Sequence, residues 1–96
     1  MSATLEAIRS EALFASNLQL SDQPAANQVR LAVASTLCRL GIRGCAVQVA
    51  GEFGDHPDVA VARMRWALAT IRAVYPVRSA ETSRPRRAPR PLALAS

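Results

Sequence analysis

Six side chains between residues 38 and 58 belong to types that do acid–base, nucleophilic or metal chemistry: Cys38, Cys45, Glu52, Asp55, His56 and Asp58. Their spacing argues against each. The cysteines and His56, the only histidine, give three possible metal ligands, too few and too widely spaced for a tetrahedral zinc site. His56 precedes Pro57 and reads as a turn or capping residue rather than a base. Arg39 and Arg43 flank Cys38, which leaves a reactive thiolate open, although small cysteines are more often core residues. Glu52, Asp55 and Asp58 fit the acidic start of a helix without a substrate. No Ser-His-Asp order is recognisable, and Gly41, Gly44, Gly51 and Gly54 do not follow a strand as a phosphate loop would. We therefore expect no enzyme, no metal, no cofactor and no small-molecule substrate.

The remaining chemistry is charge. The 96 residues hold 12 arginines, no lysine, seven acids and 19 alanines, a net charge of +5. Arginine-only basic usage with abundant alanine fits a GC-rich genome, so an arginine here is not by itself a phosphate ligand. The charge is uneven. Residues 1–76 carry seven arginines and six acids, whereas residues 77–96 carry five arginines and one acid. That last stretch is rich in proline and small polar residues. It reads as a disordered basic tail, suited to a sequence-independent grip through Arg84, Arg86, Arg87 and Arg90, or to solubility alone.

No apolar run approaches the roughly 20 residues of a membrane span. Residues 1–13 carry Glu6, Arg9 and Glu11 in place of a secretory leader's apolar stretch. A cytoplasmic protein with no membrane role is expected. One small core is all that this length allows, so an oligomer or a partner is expected too.

Apolar residues recur at three and four, which predicts an all-α domain over residues 1–76 with four helices. Helix one covers residues 3–17, capped by Ser2, with Leu5, Ile8, Ala12 and Ala15 inward and Phe14 and Leu18 widening the stripe near its end. Helix two covers 24–40, capped by Ser21 or Asp22, with Val29, Val33, Thr36, Leu37 and Leu40 inward and Gly41 as its stop. Helix three covers 44–52, with Cys45, Val49 and Phe53 inward, and Gly54 ends it. Helix four covers 57–75 with the stripe Ala60, Met64, Ala67, Ile71 and Val74. Asp55 would cap it and Pro57 suits its first turn. Val59, Val61, Trp66 and Leu68 fall off that stripe, so helix one or a second copy must cover them.

Helices three and four meet across VAGEFG-DHPD-VAVARMRWA. Ala50 and Gly54, four apart, suit a helix-turn-helix: a small residue allows a close crossing and glycine takes the left-handed turn. The stretch resembles the region-four helix-turn-helix of bacterial sigma factors. Val49-Ala50, Glu52, Phe53-Gly54, Arg63-Met64 and Ala67 fall at that family's offsets over about residues 24–72. The resemblance implies a trihelical unit at 24–75 and DNA binding. Asp55 departs from it, standing where an aliphatic residue is usual. The whole chain also resembles short actinobacterial helical proteins with a GCAxxVAxEFGDHPxxAxxRMRWA block, which implies kinship and no activity.

A reading helix presents Arg, Lys, Asn, Gln or Ser to base edges. Here the corresponding positions are Pro57, Asp58, Val59, Val61 and Ala62. Arg43, Arg63, Arg65 and Arg72 are left for backbone contacts, giving affinity with little sequence discrimination. Three readings follow. The first is a regulatory DNA-binding module using those arginines and the tail. The second is a helical protein–protein module, homodimer or adaptor, using Val59, Val61, Trp66 and Leu68. The third is a structural subunit of something larger.

Overall fold

A computed structural model describes residues 4–76; the expected tail, with Arg84, Arg86, Arg87 and Arg90, lies outside them. The described residues form three α-helices, α1 (Leu5–Ala15), α2 (Ala26–Asp55) and α3 (Pro57–Val74), with a 3₁₀ turn at Leu20–Asp22 and no strand. Each helix packs on the other two. None is long and apolar enough to cross a membrane.

Four separate helices were expected; the second and third run together. Gly41 interrupts α2 with φ 75° and ψ 170°, a conformation open essentially to glycine alone. Gly41 is the only residue of α2 with non-helical φ and ψ, so the break is a one-residue kink and not a loop. The second corner also differs from expectation. α2 continues through Gly54 to Asp55, and the only non-helical residue before α3 is His56, with φ −140° and ψ 69°. The proline explains this. Its ring disfavours the helical conformation in the residue before it, and its missing N–H suits the first position of the next helix. Gly54 therefore keeps a helical backbone, and Gly41 is the only glycine at positive φ among the described residues. A Cβ on Gly51 or Gly54 would meet nothing within 4 Å, so no close crossing depends on either.

The caps move as well. Thr4, not Ser2, caps α1, its Oγ1 accepting from the Ala7 N–H at 3.0 Å. Asp22 closes the 3₁₀ turn, accepting from the Gln19 N–H at 2.9 Å, and the Gln28 side chain accepts from the Ala25 N–H at 2.7 Å at the start of α2. Asp55 belongs to α2, and no side chain caps α3.

The core draws on all three helices. Val29 and Val33 are buried in α2 with Thr36, and Cys45 joins them beyond the kink. Ala60, Ala67 and Ile71 are buried in α3, with Met64 and Val74 packed beside them. The rings of Phe14 and Phe53 stack with centroids 6.0 Å apart. α1 departs from its expected single stripe. Ala12 and Phe14 are buried as expected, but Leu5 is 58% exposed, and Ser10 and Leu13 are buried off the stripe. The reason is that α1 packs against both α2 and α3 and buries two faces. Fully burying a side chain such as Leu13 or Ile71 contributes about 2 kcal/mol.

Ser10 is buried with its Oγ unpartnered among the described residues. An unmet buried hydroxyl costs about 1 kcal/mol or more. Ser10→Ala is therefore expected to leave stability unchanged or raise it by about 1 kcal/mol. A lower denaturant midpoint would contradict this.

Candidate functional site

The arginines named for phosphate contact have separate fates. Arg63 points back into the fold. Its Nε donates to the Phe14 carbonyl at 2.8 Å. Its Nη2 donates to the carbonyls of Ser16 at 3.0 Å, Leu18 at 2.9 Å and, more distantly, Leu13 at 3.4 Å. The last carbonyls of a helix lack intrahelical donors, and α1 has no basic residue in its own last turn. An arginine of α3 supplies both the donors and the positive charge. Partial burial pushes the Arg63 pKa down, with the nearby Glu52 opposing the shift. The guanidinium also lies 5.0 Å from the Trp66 ring centroid and 5.7 Å from that of Phe14.

Arg72 pairs with Glu6 at 2.8 Å, an exposed bridge that ties α3 to the start of α1. Arg9 of α1 stacks on Tyr75, 4.0 Å from the ring centroid. Arg43 and Arg65 are exposed and make no ion pair among the described residues. Of the four folded-domain arginines expected to hold phosphates, these two alone present guanidiniums outward without an internal partner. The two thiols divide sharply. Cys38 is exposed on α2, and Cys45 is buried. Loss of water raises the Cys45 pKa, and the charge of Glu11 adds to the rise, against Arg39. His56 is an exposed corner residue whose side chain makes no capping bond.

The four residues expected at an interface are also split. Val59 and Trp66 line one groove, with Gln19 and Leu20 from the α1–α2 connection and Asp58, Ala62 and Arg63 from α3. Positions 59, 62 and 66 share a face at helical spacing. The groove measures about 430 Å³. Val59 and Leu20 are each 64% exposed on its walls. Trp66 is half-buried, with the Arg63 guanidinium over its ring. Asp58 supplies the rim charge. Val61 is 39% exposed and Leu68 half-buried, and neither lines the groove.

Leu20 was missed because it falls within the polar run Gln19–Gln23. Its signal lies in the pattern: the only apolar residue in a serine–aspartate turn must either pack or protrude. Compared with protein-family models, curated proteins and solved structures, the chain matches none of them.

Proposed function

We propose that this chain is a helical protein-interaction module whose docking site is the Leu20–Val59–Trp66 groove. One observation carries the reading: two large aliphatic side chains stand exposed around a half-buried tryptophan in a concave site. Aromatic anchors in apolar pockets are where interface energy concentrates. The chemistry suits an apolar anchor from a partner. Asp58 at the rim favours a basic neighbour beside that anchor.

The test uses exposed residues, so folding is not at stake. Surface substitutions of this kind shift stability by about 0.5 kcal/mol or less. The paired variant Leu20→Asp, Val59→Asp is compared with wild type for solution mass and for capture of host proteins. Wild type should retain a partner or a second copy, and the variant should lose it at least tenfold. A wild-type chain that stays monomeric and retains nothing specific overturns the reading.

A second reading, duplex binding through phosphates, draws support from Arg43 and Arg65 alone among the described residues. Binding to a labelled duplex across a salt series, with the full chain and with residues 1–76, separates the two. Phosphate neutralisation gives affinity that falls steeply with salt. Binding by the full chain only would assign the grip to residues 77–96.

A further inference from the structure

A second surface lies on the first half of α2 and shares no lining residue with the groove. Val29, Val33, Thr36, Leu37 and Leu40 turn inward there. At about 100° per residue, Leu31, Ala34, Ser35 and Cys38 fall on the opposite face. All four are exposed, and Leu31 is 68% accessible. With Arg39 they line a shallow hollow of about 520 Å³. Arg30 and Arg39 flank this stripe, one on each side. Residues 23–51 hold three arginines and no acid.

We propose that this face docks an acidic amphipathic helix. Ala34, Ser35 and Cys38 are small, so a partner helix can approach closely and seat a large apolar side chain between them and Leu31. Carboxylates on the two edges of the partner's apolar face then meet Arg30 and Arg39. The charges decide against other occupants. A second copy of the same face, laid antiparallel, brings Arg30 to Arg39; laid parallel, it sets like against like. Leu31 is the only large apolar residue of the stripe, too little to hold a lipid surface. Nucleic acid would place the apolar centre of the stripe against phosphates.

Cys38 is a built-in reporter, since it is exposed within the stripe while Cys45 is buried. The probes are two designed amphipathic peptides with the same leucine seam, one flanked by glutamate and one by lysine. The full-length chain should bind the glutamate peptide at least tenfold more tightly. Saturation should slow alkylation of Cys38 severalfold. Leu31→Glu should weaken binding at least tenfold, and Arg30→Glu with Arg39→Glu should reverse the preference towards the lysine peptide. Circular dichroism confirms that the variants stay folded. Equal binding of the two peptides, no binding, or an unprotected Cys38 overturns the proposal. So does a DNA duplex or an anionic phosphatidylserine vesicle that protects Cys38 as well as the glutamate peptide does.

Discussion

Arg63→Met should lower the unfolding free energy by about 3 kcal/mol, a larger loss than any surface arginine would give. The variant keeps the apolar length of the side chain and removes the donors. The Phe14, Ser16 and Leu18 carbonyls then face a half-buried site without them. Hydrogen bonds from a charged group contribute about 1.5–3 kcal/mol each when lost, and the effects of one guanidinium on neighbouring carbonyls do not simply add. A domain of this size should lose roughly 4–8 °C in Tm per kcal/mol, so the drop is visible in a circular dichroism melt. Arg63→Lys should recover less than half of it. An ammonium is a point charge and cannot present the fork that reaches several carbonyls at once. By contrast, Glu6→Gln, which breaks the exposed Arg72 bridge, should cost about 0.5 kcal/mol or less. If Arg63 instead served only to contact phosphate, Arg63→Met would weaken duplex binding and leave the melt unchanged.

Arg63 also marks where sequence reading stops. Its acceptors lie 45 to 50 residues away in the chain, and no local pattern encodes a contact of that range. A sequence offers an arginine on a helix, and solvent or phosphate is the natural guess. Periodicity fares better where one face is buried. Val29, Val33 and Thr36, and then Ala60, Ala67 and Ile71, are inward in both sequence and structure. α1 defeats the same method because it is packed from two sides, so Leu13 and Ser10 are buried off the expected stripe. Of the expected interface set, Val59 and Trp66 share a groove, but its other wall comes from Leu20, in a turn that periodicity does not address. The α2 stripe was legible in principle. Leu31 falls off the inward line, and the absence of acids over residues 23–51 can be counted directly.

The glycines provide the second large prediction, and it differs in sign between positions. Gly41→Ala should cost about 2 kcal/mol, because an L side chain at φ 75° and ψ 170° is strained. The space is open, with nothing within 4 Å of the added Cβ, so the loss is backbone strain and not a clash. Should alanine relieve that strain by straightening α2, the half beyond the kink swings away. Phe53 then leaves Phe14, and Cys45 leaves the core. Either route lowers Tm, and the second also makes Cys45 alkylate in the native protein. Gly51→Ala and Gly54→Ala should do the reverse. Both sites are helical and open, and alanine is favoured over glycine in a helix by about 1 kcal/mol in the interior and less near the end. Gly54 decides most. A glycine needed for a left-handed turn before a recognition helix would make Gly54→Ala destabilising. A corner made by His56 and Pro57 makes it neutral or stabilising. The sign of that one melt separates a sigma-like turn from a proline-set joint between two helices.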